Sequence, residues 1–283
     1  MGEFNFDDIK SEKELLESDF DFEEVYNKCL IDLSEEMPRP EILLSIGEHL
    51  YKNNYYPTSV MTAGEISAIT ATSKSKKSFL KSALIACYIG GDSLNLFPNI
   101  KTHRDKDYTI ADFDTEQGVF FTQRTFRRVF DMVGAKYDNY KGFATRHLET
   151  KKRLKFIDEC LKRQDSIFEN PVKLVSIDGI ADLVENTNDL VMSQEVSDYL
   201  MKWTFEYNIH ITNVIHKSPL TNKPLGHLET YVLKKAETVI DLEKDTDGTI
   251  KVTNPYSRGY SFDQFNFDVN SDALPFLIND NFY

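Results

Sequence analysis

The sequence predicts an α/β fold with a mainly parallel central sheet, and two observations support this prediction. From residue 67 onwards, short apolar segments alternate with longer segments of helical periodicity, which is typical of parallel sheets. After Gly226 the pattern changes to short strands separated by the turn sequences DTDG and NPYSRG. Such turns predict antiparallel strands added at one edge of the sheet.

The predicted elements follow one another in a regular order. Strands are expected at residues 67–70, 108–112, 142–147, 172–177 and 209–215, and helices at residues 77–90, 122–133, 150–163 and 193–207. The edge strands are expected at residues 238–242, 250–253 and 262–267. Pro38 and Pro40 indicate a boundary between an acidic N-terminal arm, residues 1–37, and a folded domain, residues 38–283.

Charge and composition limit the function classes. The 283 residues carry a formal net charge of -13, which argues against a protein that wraps nucleic acid over its whole surface. Much of the acidity lies in the arm, which we interpret as a solubilising tail, with a partner-binding segment as the alternative. Without a signal peptide or an apolar run of roughly 18 residues, we expect a cytoplasmic protein and no membrane contact. Cys29, Cys87 and Cys160 are scattered, and we expect buried thiols.

A lysine-rich hydroxyl cluster lies between the first predicted strand and its helix, where a phosphate-binding loop belongs. Aligned on Lys77 and Ser78, the usual loop pattern places Ala71 and Lys76 at its two glycine positions. A loop without these glycines must be shaped differently or carry strain, and a solvated basic turn is the alternative. The candidate nucleotide-binding residues are Thr72, Ser73, Lys74, Ser75, Lys76, Lys77, Ser78 and Phe79.

Acidic residues follow two of the other predicted strands. VKLVSIDGI describes a short apolar strand ending in Asp178, as in a Walker B strand, whose carboxylate holds Mg²⁺ together with a hydroxyl such as that of Ser78. A buried strand ending in a helix-cap aspartate is the alternative. YTIADFDTEQG places Asp112, Asp114 and Glu116 at another strand end, and Glu116 is our candidate for the base that activates water. Turn and cap residues are the alternative there.

His216 ends the strand that follows the Walker B strand, and a polar loop comes after it. A polar side chain at that strand end can sense a γ-phosphate and pass its displacement to residues 217–225. Lys217 and Lys223 make this loop a candidate contact for a single-stranded DNA backbone. A structural histidine and a surface loop are the alternatives.

In this order, the segments SKSKKSF, DTEQG, LVSIDGI and VIHK resemble the RecA-like ATPases over roughly residues 40–280. More narrowly, they resemble the AAA-type ATPases, related to hexameric replicative helicases, of bacterial plasmids, mobilisable elements and phages. The resemblance implies a RecA-like P-loop NTPase core that binds ATP and Mg²⁺, and makes Lys76 a trait of the group. Ala71 departs from the usual glycine.

The resemblance also implies a homo-oligomer, either a ring or a filament, in which a neighbour supplies a positive residue to the nucleotide. Arg258 is the candidate for that residue, with Lys234 and Lys235 as alternatives, and a surface turn arginine is equally compatible. The expected function is ATP hydrolysis that drives an action on DNA, in replication or mobilisation of a phage or mobile element. The alternative is a nucleotide-dependent assembly or regulatory protein with little turnover.

Overall fold

The computed structural model describes residues 20–278, and the chain divides into two compact units, Met1–Arg39 and Pro40–Tyr283. In the first unit, helix α1 (Phe22–Cys29) begins at Asp21, whose carboxylate accepts the Glu24 backbone N–H at 3.1 Å. None of the residues of α1 is buried. Residues 1–19 of the predicted acidic arm lie outside the described residues.

Within the described residues, the second unit contains a nine-stranded sheet and a separate three-stranded sheet. The strands are β1 (Ile42–Tyr51), β2 (Asn54–Thr62), β3 (Ile66–Ala71), β4 (Ile100–Thr102), β5 (Thr109–Asp114), β6 (Tyr140–Ala144), β7 (Val172–Asp178), β8 (His210–His216), β9 (Thr238–Lys244), β10 (Ile250–Ser257), β11 (Phe265–Val269) and β12 (Pro275–Ile278). The helices are α2 (Lys77–Ile89), α3 (Ser93–Leu96), α4 (Val119–Val133), α5 (Thr150–Lys162), α6 (Gln164–Ile167), α7 (Leu190–Tyr207) and α8 (His227–Lys235), with a 3₁₀ helix at Ile180–Leu183.

The large sheet has the order β12-β11-β10-β9-β3-β8-β7-β5-β6. From β9 to β6 its strands are parallel, and β10, β11 and β12 add to β9 in antiparallel pairs. The predicted α/β class, with a mainly parallel sheet and antiparallel edge strands, is confirmed.

Two hydrophobic cores cover the two faces of this sheet. The alternation of β3 shows how the sequence builds them, since Ile69 belongs to one core and Ala68 to the other. Leu84 of α2 packs in the first core, and Trp203 of α7 packs in the second. Strand β3 is therefore buried on both sides, as expected for a central parallel strand.

Several elements of the fold were not predicted from the sequence. The hairpin β1–β2 turns at Lys52 and Asn53, whose φ angles of 45° and 65° are those of a tight hairpin turn, and β1 also pairs with β4. Helix α8 and strand β12 were not predicted either. Strand β5 runs to Asp114, two residues beyond its predicted end, because its last residues pair with β7.

The strand register brings four strand ends to one edge of the sheet. Ala71 of β3 lies beside His216 of β8, and Asp114 of β5 lies beside Asp178 of β7. Because parallel strands share their carboxyl-terminal edge, the candidate residues that follow these strands converge there. In the part of the chain that the structure describes, no helix is long and apolar enough to cross a membrane.

Candidate functional site

The loop between β3 and α2 keeps left-handed backbone positions although it contains no glycine. Lys74 has φ 64°, and Lys76, the residue before α2, has φ 56° and ψ 29°. Lys76 stands at the second glycine position of the usual pattern, so a lysine adopts there the conformation that glycine normally supplies. This costs about 1–2 kcal/mol of strain. The loop therefore has the left-handed backbone expected of a loop that lacks the usual glycines.

The two adjacent lysines of the loop point to different partners. Lys76 Nζ lies 2.7 Å from a carboxylate oxygen of Asp268 on β11, in the antiparallel part of the sheet. Lys77 Nζ donates to the carbonyls of Ala71 at 3.2 Å and Thr72 at 3.1 Å, and lies 3.1 Å from His216 Nδ1. Each N–H of the Lys77 ammonium thus has an acceptor. A phosphate that takes a hydrogen bond from Lys77 must displace one of them.

His216 connects Lys77 to Glu116. Its Nε2 lies 2.9 Å from Glu116 Oε1 while its Nδ1 faces the Lys77 ammonium. Because an ammonium only donates, this arrangement requires the neutral imidazole with its proton on Nε2. The hydrogen bond from His216 lowers the pKa of Glu116, whereas burial lowers the pKa of Lys77. Glu116 is therefore a carboxylate at neutral pH, as a general base must be.

Gly179 leaves the space that the Glu116 side chain occupies. A Cβ at Gly179 would lie 2.4 Å from Glu116 Oε1, which is closer than real Cβ contacts. The backbone around this space is fixed by Thr115, whose hydroxyl donates to the Gly179 carbonyl at 2.9 Å and accepts the Gly179 N–H at 3.1 Å. Glycine at position 179 thus lets the Glu116 side chain keep this position.

Asp112 and Asp114 are fully buried and make structural contacts. Asp114 Oδ1 accepts the backbone N–H groups of Glu116 at 3.0 Å and Gln117 at 2.8 Å, which shapes the turn that presents Glu116. Asp112 lies 3.1 Å from the buried Lys81 ammonium. Burial lowers the pKa of Lys81, but Asp112 and Asp178 more than offset this, so its pKa is raised and it stays charged.

Asp178 ends β7, and one oxygen of its carboxylate faces the Lys81 ammonium. Among the described residues, its buried Oδ2 accepts no hydrogen bond of good geometry, although Lys81 Nζ lies 3.1 Å away. Residues 20–278 contain no cluster of three His, Cys, Asp or Glu residues that could hold a metal by itself. Mg²⁺ in nucleotide sites needs only one or two protein ligands, because phosphates and water supply the others. Asp178 and the Ser78 hydroxyl in the first turn of α2 fit that requirement.

Lys77, Glu116, Asp178 and His216 line one cleft of about 330 Å³. Its walls are Lys74, Ser75, Lys76, Lys77, Ser78, Phe79, Glu116, Gln117, Thr125, Arg128, Asp178 and His216. Four cations face two carboxylates, so the cleft is locally positive in a chain of net charge -13. Two other candidate loop residues do not line the cleft: the Thr72 hydroxyl lies 3.0 Å from that of Ser75, and Ser73 is exposed.

Arg128 is a charged cleft residue that was not predicted from the sequence, and Gln117 and Thr125 are two uncharged ones. Arg128 is only 8 % exposed, its guanidinium lies 3.8 Å from the centroid of the Phe79 ring, and it donates to the Ser78 carbonyl at 3.4 Å. Burial lowers its pKa to about 10, so it remains charged. The available signal was an arginine on the buried face of α4, one residue before Val129.

The 217–225 loop borders a second and larger cleft, and the structure corrects the expected role of Lys217. This side chain is buried and its Nζ lies 2.6 Å from Asp241, so it cannot contact a DNA backbone as it stands. Lys223 is exposed and lines the second cleft, of about 980 Å³, together with Lys234 and Tyr256.

Arg258 also lies in the second cleft, apart from Lys77. It pairs with Glu65 at 3.1 Å and donates to the carbonyl of Lys235 at 2.8 Å. Within one chain, Arg258, Lys234 and Lys235 therefore do not line the cleft around Lys77. A role in trans stays a prediction.

Comparison with solved structures decides the fold family. The crystal structure of the RadB recombinase superposes with a TM-score of 0.52 at 14% sequence identity, over 76% of this chain and 91% of that chain. The fold is RecA-like. No protein-family model and no curated protein matches the chain. The predicted RecA-like fold is thus confirmed, while the narrower mobile-element group stays a prediction.

Proposed function

We propose that this protein binds Mg-ATP at the phosphate loop and hydrolyses it. The observation that carries the proposal is the arrangement around Lys77, a buried ammonium at the start of a helix, next to His216 and Glu116. Backbone N–H groups at a helix N-terminus and a lysine together bind β- and γ-phosphates. The local excess of cations in an acidic chain supports an anionic ligand.

Each side chain has a role that follows from its position. Lys77 and the loop 72–79 hold the phosphates, and Arg128 adds a positive charge from α4. Ser78 and Asp178 would hold Mg²⁺, which neutralises charge on the phosphates when bound. Glu116 accepts the proton of the attacking water, since it is ionised and placed on the same edge.

His216 reports the state of the nucleotide in this proposal. When a phosphate accepts the hydrogen bond that Lys77 donates to His216, the ring loses its partner at Nδ1. It is then held only through Nε2 and can turn relative to Glu116. The next residue, Lys217, pairs with Asp241, and the loop 217–225 follows it. A movement of His216 can therefore reach the second cleft within one residue along the chain.

We infer that single-stranded DNA contacts the protein at this second cleft and the loop 217–225. Lys223 and Lys234 supply phosphate contacts, and the 71 % exposed Tyr256 offers a ring for base stacking. The role would be in replication or mobilisation of a phage or mobile element. Homo-oligomerisation into a ring or filament would repeat the cleft and bring Arg258, or Lys234 or Lys235, to a neighbour's nucleotide.

A nucleotide-dependent assembly or regulatory protein is the second candidate function. The observation that favours it is the loop itself, in which Lys74 and Lys76 and not glycines have left-handed backbone conformations. The side chains at these positions leave less room for the loop backbone to approach the phosphates. Low turnover with intact binding would be the result.

Phosphate release measured with and without single-stranded DNA tests the proposal and separates the two functions. The ATPase hypothesis predicts Mg²⁺-dependent release that Glu116→Gln slows by about 10²–10⁴ without loss of nucleotide affinity. Binding of nucleotide with no release above the level of Glu116→Gln would favour the regulatory function. Protein that binds no nucleotide would overturn both.

A further inference from the structure

We propose that Lys81 is a positioning residue that competes with Mg²⁺ for the carboxylate of Asp178 and so sets the Mg²⁺ concentration that nucleotide binding requires. The inference rests on the proposed function, because it concerns the same site. Its starting point is an unusual group, a lysine with no solvent exposure, one helical turn after Lys77 on α2. Lysine is almost never fully buried unless it is paired.

The partners of Lys81 are two carboxylates from different strands. Its Nζ lies 3.1 Å from Asp112 Oδ1 on β5 and 3.1 Å from Asp178 Oδ2 on β7. Asp112 is also held by the Tyr140 hydroxyl, which donates to its other oxygen at 2.8 Å. Asp114, also fully buried, lies beside Asp178 in the strand register. Two carboxylates therefore share one buried ammonium, with a third buried carboxylate beside them.

This arrangement leaves negative charge for a divalent cation but makes the cation compete for it. Asp178 Oδ2 is the atom that faces Lys81, and, in the described chain, it has no hydrogen bond of good geometry to any other group. A cation that binds Asp178 must therefore share this carboxylate with an ammonium already in contact with it. At such short range and in a buried site, the repulsion between the two cations is large compared with that between surface charges.

Asp112 controls how strongly Lys81 holds Asp178, which gives predictions of opposite sign. In Asp112→Asn, the amide oxygen can face Lys81 and the amide N–H can donate to the Tyr140 hydroxyl, but Lys81 has lost one carboxylate and pairs more strongly with Asp178. The Mg²⁺ requirement should rise. In the double variant Lys81→Met with Asp112→Asn, the competing ammonium is gone and the requirement should fall below that of the wild type.

The double variant separates direct competition from a simple effect of net charge. It removes one positive and one negative charge, so the cluster keeps the net charge of the wild type. If only net charge mattered, its Mg²⁺ requirement would return to the wild-type value. Lys81→Met alone is less informative, because it leaves Asp112 and Asp178 without a counter-ion, and such a loss can prevent folding.

The matched control is Lys173→Met. Lys173 is also a buried lysine of the same sheet, on β7, but it pairs with Glu41 at 2.7 Å and does not line the nucleotide cleft. Its loss should lower the melting temperature without changing the Mg²⁺ requirement. A purely structural role for Lys81 predicts that same behaviour for the Lys81 and Asp112 variants.

In the experiment, Mg²⁺ is titrated into the full chain at a saturating concentration of a non-hydrolysable ATP analogue. The melting temperature is measured at each Mg²⁺ concentration. We expect the Mg²⁺ midpoint to rise about fivefold or more in Asp112→Asn and to fall about fivefold or more in the double variant. Unchanged midpoints, or a double variant with the wild-type midpoint, would overturn the role of Lys81 but not the proposed function. If the double variant does not fold, an unchanged Mg²⁺ midpoint in Asp112→Asn still overturns the role of Lys81. Wild-type protein whose melting temperature ignores Mg-nucleotide would instead overturn the proposed function.

Discussion

The substitution Gly179→Ala should slow hydrolysis while leaving nucleotide binding intact. A methyl group at this position would lie 2.4 Å from Glu116 Oε1 and 3.1 Å from its Cδ. The flexible end of the Glu116 side chain can move, so the fold should survive the change. The same oxygen accepts the hydrogen bond from His216 at 2.9 Å, and that bond should be lost.

The size of the effect follows from the displacement. Ordinary van der Waals contact begins near 3.4 Å, so Glu116 Oε1 must retreat by about 1 Å. A misplacement of about 1 Å in a catalytic group can cost about 10²-fold in rate. We therefore expect phosphate release to fall about 10²-fold, with a dissociation constant for the ATP analogue within about twofold of the wild type.

Steady-state phosphate release and calorimetry measure the two quantities separately. Gly118→Ala is the matched control in the same segment, because its new Cβ would have only the Arg146 guanidinium at 3.8 Å, an ordinary contact. A wild-type rate in Gly179→Ala would refute the assignment of Glu116 as the base. An equal loss in Gly118→Ala would show that the segment as a whole is sensitive, and not the space beside Glu116.

Three further predictions rest on other parts of the structure. Because Lys76 is left-handed, Lys76→Gly should be about 1–2 kcal/mol more stable to urea than Lys76→Ala, and equal stabilities would contradict the backbone assignment. Burial lowers the pKa of His210 from 6.5 to about 4, so the unfolded chain binds this proton more readily than the folded chain does. The free energy of unfolding should therefore fall by about 3 kcal/mol from pH 6.5 to pH 4. A His210→Gln variant with the same pH dependence would exclude this cause. Replacing Lys223 by Ala should weaken salt-sensitive binding of labelled single-stranded DNA in an anisotropy titration and leave basal hydrolysis unchanged, whereas unchanged DNA affinity would remove the second cleft from the proposal.

The convergence of the main candidates could be predicted from the sequence. Lys77, Glu116, Asp178 and His216 each follow or end an apolar segment, and the carboxyl ends of parallel strands meet at one edge. The spacing of the segments gave the strand positions to within a few residues. That these four side chains lie around one cleft depends also on the strand order β3-β8-β7-β5, which the alternating pattern by itself does not specify.

The partners of the neighbouring charged residues could not be predicted. Lys81 lies within an apolar helix, but its partners Asp112 and Asp178 lie on two strands, 31 and 97 positions further along the sequence. The contact of Lys76 with Asp268 depends on how the antiparallel edge returns to the phosphate loop. Lys217 was expected at the surface, because a lysine in a polar loop usually is, and only the tertiary fold places it against Asp241.

Calorimetric titration of the protein with a Mg²⁺-bound ATP analogue, for the wild type, Lys77→Ala and Lys76→Ala, tests the central claim most directly. The lysine that contacts Ala71, Thr72 and His216 should be the one that binds phosphate, whereas its neighbour pairs with Asp268. We predict that the wild type binds, that Lys77→Ala loses binding, and that Lys76→Ala retains most of it. Equal losses in the two variants would contradict the register of the loop, and a wild type that does not bind would contradict the nucleotide site itself.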